Sequence, residues 1–189
     1  MDSVLLVTSS EKSLSFFMDI LSHNAVSEVV TAQNCGKARR LLIERVFDLC
    51  IINAPLPDEF GENFAVSVAS MGMSQVILLV KSDVYDEVSS QVESNGVFVV
   101  SKPVSKSMFW SVLKLANAAF NRMSTLNKEN NQLLQKIEDI RLIDRAKCLL
   151  IEYLSMTEAQ AHKYIEKQAM DLRVTKKAVA NRILKTYES

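Results

Sequence analysis

Five short runs of β-branched and aliphatic residues are spaced through the first hundred positions: Val4–Val7, Val29–Thr31, Asp48–Ile52, Gln75–Val80 and Val97–Val100. Nothing else in the chain limits its fold as tightly, because each run is separated from the next by a segment of helix length, which makes neighbouring strands parallel. The runs VLLV, LCII and VILLV are continuously apolar instead of alternating. Continuous runs of this kind belong to strands buried on both faces, as when crossover helices cover both sides of a sheet. The helices are expected at Leu14–Leu21, Lys37–Val46, Phe64–Ala69, Val84–Ser94 and from Ser107 onward. The fold class that follows is α/β, a doubly wound five-stranded parallel sheet.

Between Ser107 and Glu152 there is no glycine or proline, so the last helix of this unit is expected to run on unbroken. Within it Met123, Leu126, Asn130, Leu133, Ile137 and Ile140 step by alternating threes and fours, an a/d heptad seam with an asparagine at one a position. Such an asparagine favours an in-register parallel pair, so the segment is expected to dimerise, although the polar stretch Asn127–Gln132 also suits a solvated linker helix.

The remaining residues suggest a small three-helix domain. One apolar face runs through Leu142, Ile143, Ala146, Leu149, Leu150 and Tyr153. Thr157 and Gln160 form a capping-box pattern that opens a helix from Glu158 to Ala169, with Ala161, Tyr164, Ile165 and Gln168 facing inward. Thr175 is placed to cap a third helix, Lys176–Tyr187, with Val179, Ala180, Ile183 and Leu184 inward. The domains expected are residues 1–120 (the α/β unit), 121–142 (the dimerising helix) and 143–189 (the helical tail).

Charge is uneven although the whole chain is neutral. Residues 1–120 carry 9 Lys/Arg and 13 Asp/Glu, whereas residues 141–189 carry 10 and 6, which leaves the tail at +4 and suits a polyanionic partner. Cys35, Cys50 and Cys148 are isolated, odd in number and lack CxxC spacing, so they are expected to be buried thiols in a reducing cytoplasm. His23 and His162 lie far apart and suggest no metal site. No run approaches the length of a membrane span, and the first residues lack the basic flank of a secretion signal. There is no Ser/His/Asp set, P-loop or GxGxxG, so the chain is not expected to be an enzyme and no cofactor is expected.

The stretch from Ser3 to Phe120, with VLLV in the first strand, FDLCIINAPLPDEFG at the third and SKP after the fifth, resembles the receiver domain of bacterial response regulators. The resemblance implies an acidic pair after the first strand holding magnesium, a phosphate-accepting aspartate ending the third, a hydroxyl ending the fourth and a Lys-Pro after the fifth. Here those positions hold Thr8 and Ser9, Asn53, Val80, and Lys102 with Pro103. A carboxamide cannot become an acyl phosphate, and neutral hydroxyls are poor ligands for a hard dication. The receiver is therefore expected to be degenerate, without phosphotransfer or metal. Lys102 is read as shaping its loop or donating to Asn53 or a nearby carbonyl. Degenerate members of the receiver family usually serve as dimerisation or docking modules, so control would pass to a sensor protein or a small ligand.

IDRAKCLLIEYLSMTEAQAHKYIEK followed by VTKKAVANRIL resembles the ANTAR domain, the RNA-binding output domain of antitermination regulators. Cys148 stands where the family usually has glycine, and the loop from Met170 to Val174 departs from its pattern. The resemblance implies a regulator that binds paired hairpins in nascent mRNA leaders and prevents terminator formation. Candidate RNA contacts are Arg145, Lys147, Lys163, Tyr164, Lys176, Lys177 and Arg182, with Tyr164 as suited to the core as to stacking on a loop base. Three short helices with a basic third also describe a DNA-binding helix-turn-helix, and a dimeric protein-interaction adaptor remains a third reading.

Overall fold

The computed structural model describes residues 2–22 and 26–187. His23 lies outside the described residues, as do the last two positions of the tail. The chain divides into two compact units, residues 1–124 and 125–189. No helix among the described residues is long and apolar enough to cross a membrane.

The first unit is a five-stranded sheet made of β1 (Ser3–Val7), β2 (Glu28–Ala32), β3 (Leu49–Asn53), β4 (Gln75–Lys81) and β5 (Val97–Lys102). Its order is β2-β1-β3-β4-β5, parallel throughout, which is a doubly wound α/β topology. Alternate residues of each central strand enter different cores. Leu5, Cys50, Ile52 and Leu78 join one buried cluster, and Val4, Leu6, Ile51 and Ile77 join the other. Both faces are thus sealed, as the continuous apolar runs require.

The helices α1 (Glu11–Ser22), α2 (Cys35–Glu44), α3 (Glu62–Ser70) and α4 (Tyr85–Val92) follow strands β1 to β4 in turn. The first three begin two or three residues ahead of the expected starts, because α1 and α3 open on polar residues and α2 on a cysteine and a glycine, none of which adds to an apolar period. In α2 the start is marked by its cap, with Asn34 accepting from the Lys37 amide at 2.8 Å. The helix between β4 and β5 is divided, with 3-10 turns at Ser82–Val84 and Glu93–Asn95. Gly61, at φ 119°, opens α3 in a backbone region that favours glycine, and an added Cβ would lie 3.2 Å from Ile52.

α5 (Lys106–Leu154) is one unbroken helix of 49 residues, continuous as expected from the absence of glycine and proline. In the second unit it is joined by α6 (Glu158–Asp171) and α7 (Lys176–Tyr187) around a core that includes Ala146, Leu150, Ala161, Ile165, Ala169, Val179, Ala180 and Ile183. Half of these are alanines, which lets helix axes approach closely. Two tyrosines expected to face inward are instead well exposed. Tyr164 is 39% exposed and Tyr153 is 56% exposed. Ala161, Ile165 and Ala169, stepping by four, already fill the inner face of α6, while Tyr153 packs against Tyr187 at a ring separation of 5.1 Å.

The three thiols also divide. Cys35 and Cys50 are buried, but Cys148, expected to be buried, is exposed on α5 because Ala146 and Leu150 take the inward positions on either side of it. Burial, aided by the neighbouring Glu59 carboxylate, pushes the Cys35 thiol up to about 12, and burial raises Cys50 as well. A native-state titration with a disulfide reagent near neutral pH is expected to modify Cys148 rapidly and Cys35 and Cys50 only on unfolding; rapid reaction of all three would contradict this packing.

Candidate functional site

In a parallel sheet the carboxyl ends of the central strands converge on one edge, where loops can build a site. Asn53 ends β3, Lys102 ends β5 and Thr8 directly follows β1. The side chains of Thr8 and Asn53 are buried, at 6% and 8% exposure. The Asn53 amide donates to Thr8 Oγ1 at 3.1 Å, and Lys102 Nζ donates to Asn53 Oδ1 at 3.1 Å and also to the Ala54 carbonyl. Both acceptors foreseen for Lys102 are therefore in use. Thr8 Oγ1 further accepts from the Ser10 amide at 3.3 Å. Ser9 is exposed, and Val80 is wholly buried in an apolar cluster, where it offers no hydroxyl.

The magnesium that the receiver resemblance implies does not fit these residues. Its ligands would be a threonine, a serine and a carboxamide whose oxygen already accepts from an ammonium, so an incoming dication would meet a fixed positive charge. Among the described residues no group of three or more His, Cys, Asp or Glu is placed to hold a metal ion. Desolvation draws the Lys102 ammonium below the usual lysine range, and so does Lys81, its partner in the strand register.

The loop after β3 is held firmly. The Asp58 carboxylate accepts from the Cys35 and Gly36 amides at 3.0 and 2.8 Å, at the amino end of α2, while Glu59 pairs with Arg39. The peptides preceding Pro55 and Pro103 are both cis.

In the second unit the predicted capping box is present, with Gln160 and Thr157 bonded reciprocally at the start of α6. Several candidate cations are engaged within the unit. Lys147 pairs with Asp144 at 2.7 Å and Glu158 at 3.3 Å, Lys177 with Asp139 at 2.7 Å, and Lys176 with Glu166. The acids Asp139, Glu158 and Glu166 were not singled out from sequence, and no local spacing marks them, because Asp139 and Lys177 meet only through the packing of α5 with α7. Lys163, Lys167 and Arg182 are exposed and carry no ion pair among the described residues; Arg145 and Tyr164 are also exposed. Along α5, Met123, Leu126, Leu133, Ile137 and Ile140 are each about half exposed, at 46–58% in the single chain, and Asn130 is exposed with them.

Comparison with known proteins places both units. The family model described as ANTAR domain matches residues 131–184. The transcriptional regulatory protein PdtaR, from two strains of Mycobacterium tuberculosis, is 32% identical over 139 residues, covering 74% of this chain and 68% of the relative. Among solved structures, the signal receiver domain of an HD domain-containing protein from Pseudomonas fluorescens aligns at TM-score 0.57 and 23% identity, covering 67% of this chain and 91% of that one. A response regulator receiver domain protein from Clostridium thermocellum aligns at TM-score 0.56 and 22% identity, covering 67% and 99%.

The ion pairs give the second unit an acid limit. The Lys176 ammonium holds Glu166 below its ordinary value of 4.5, and Lys177 holds Asp139 below 3.8. A carboxylate whose pKa is depressed by folding adds stability above its ordinary value, and that stability is lost as pH falls through the depressed one. Wild type is therefore expected to melt above Glu166→Gln near pH 7 and the gap to narrow as pH falls below 4.5, followed by circular dichroism; a gap independent of pH would remove the ion pair from the explanation.

Proposed function

The chain belongs to the ANTAR family of response regulators, and from that premise we propose that it is a transcription antitermination regulator that binds hairpins in nascent mRNA leaders, governed by a partner or small ligand instead of phosphorylation. The observation that carries this reading is the coincidence of the ANTAR match, residues 131–184, with a helical unit that has its own core and exposes Lys163, Lys167 and Arg182, which carry no ion pair among the described residues. It works as a binding module and is assigned no catalytic step.

Recognition of RNA by such a surface divides into charge and base contact. Lys163 and Arg182 are free to neutralise loop phosphates, and the exposed ring of Tyr164 suits stacking on an unstacked base. Arg145, exposed on α5, is a further candidate contact. Lys147, Lys176 and Lys177 hold the helices in place through their acids and reach phosphate only by sharing or exchanging those partners. The heptad residues Met123, Leu126, Asn130, Leu133, Ile137 and Ile140 pair two copies, and two tails held at high effective concentration suit a target with two hairpins.

Control without phosphate follows from Asn53, whose carboxamide offers no acyl-phosphate chemistry and is engaged on both sides by Lys102 and Thr8. A sensor protein or ligand acting on the receiver unit is the remaining class of signal. A regulator of nascent transcripts works in the cytoplasm, where they are made.

Binding titrations against RNA with two adjacent hairpins, with duplex DNA of the same sequence alongside, test the output. RNA is expected to bind more tightly, and Lys163→Glu with Arg182→Glu to weaken it by roughly tenfold or more, since a bond to a charged group contributes about 1.5–3 kcal/mol. The salt dependence should become shallower by about 0.7 in log–log slope per lost phosphate contact. These variants leave the helix-clamping ion pairs intact, so unchanged RNA affinity in a folded protein would refute the assignment. Sedimentation at micromolar concentration is expected to give twice the chain mass, reverting to one with Leu133→Asp; a monomeric wild type would remove the paired-tail model.

A further inference from the structure

We propose that the altered acceptor pocket of the first unit is a binding site for a small oxyanion, a carboxylate or phosphate, and that this anion is the controlling ligand. A cleft of about 200 Å³ opens where the carboxyl ends of β3 and β5 meet α1. Its polar lining is Lys12, Ser13, Asn53 and Lys102, and Phe16 and Phe17 contribute an apolar wall. Among the described residues no carboxylate lines it.

The charge there is uncompensated. An ammonium has three protons to donate, and Lys102 places its bonds on Asn53 Oδ1 and the Ala54 carbonyl, both neutral acceptors. Among the described residues neither Lys12 nor Lys102 has an acidic partner, while Lys81 stands beside Lys102 in the register and adds to the repulsion. Partly desolvated positive charge without a counter-charge is costly, and an oxyanion bonded by both lysines and the Ser13 hydroxyl offsets it. At roughly 30 Å³ per water, the cleft has room for several waters, which suits a phosphate or a carboxylate with a short apolar body against the phenylalanines.

The same arrangement that rejects magnesium therefore accepts an anion. The pocket is also lined by Pro103 and Val104, just ahead of the start of α5 at Lys106, so an occupant is felt where that helix begins. This inference deepens the reading of a receiver controlled without phosphorylation and rests on it.

The test is a titration of the full chain with inorganic phosphate and, separately, benzoate, at constant ionic strength against chloride, read by amide chemical shifts. Saturable shifts at Ser13, Asn53 and Lys102 are expected for at least one anion, and the stronger of the two identifies the ligand source. Lys12→Gln, at an exposed position, should weaken binding by roughly tenfold, and Lys12→Arg should restore it. Shifts that do not saturate, that chloride reproduces, or that ignore both substitutions overturn the anion site. Parallel incubation with acetyl phosphate, read by intact mass, keeps the two readings apart: a gain of one phosphoryl group overturns the phosphorylation-independent premise, whereas no gain together with no saturation overturns the anion site alone.

Discussion

A parallel strand in the middle of a sheet has no face to give to water, and everything in the first unit answers to that requirement. All five residues of β3 are buried, and successive residues of the central strands are sent to opposite cores. Polar chemistry is confined by this to the strand ends. It is why Thr8, Asn53 and Lys102, far apart in sequence, meet within hydrogen-bond distance. Once an asparagine ends β3, the lysine across from it bonds only neutral acceptors, where the receiver resemblance implies a carboxylate.

The second unit meets a different constraint. Its core is small and rich in alanine, so apolar burial is supplemented at the rim by ion pairs that tie α7 to α5 and α6. Exposed pairs of this kind contribute modestly, but they fix geometry. They also sort the basic residues into clamps and free cations, a division that net charge alone does not make.

Much of this was legible in the chain. The continuous apolar runs lie in the strands, the lack of glycine and proline after Ser107 is matched by one long helix, and TEAQ forms the capping box it spells. The bonding of Lys102 to Asn53 followed from chemistry, because a half-buried ammonium needs acceptors and the adjoining strand end supplies one. What escaped was set by three-dimensional crowding. Tyr164 satisfies the inward period of α6, yet alanine and isoleucine at neighbouring turns fill that side and leave the larger ring outside. Cys148 was misjudged because a thiol's burial depends on which helix face its neighbours claim. The partners of Lys176 and Lys177 lie on other helices, beyond the reach of any pattern read along one segment.

Among the bonds that fasten the loop between β3 and α3, two join it to different parts of the sheet edge. At Ala54 its carbonyl receives Lys102, and four residues on, Asp58 closes the first turn of α2. It is a short bonded strap and not a free hinge. Any rearrangement at the strand ends that displaces Ala54 is therefore passed along four residues to the carboxylate that caps α2, so the end of β3 and the start of α2 are mechanically joined.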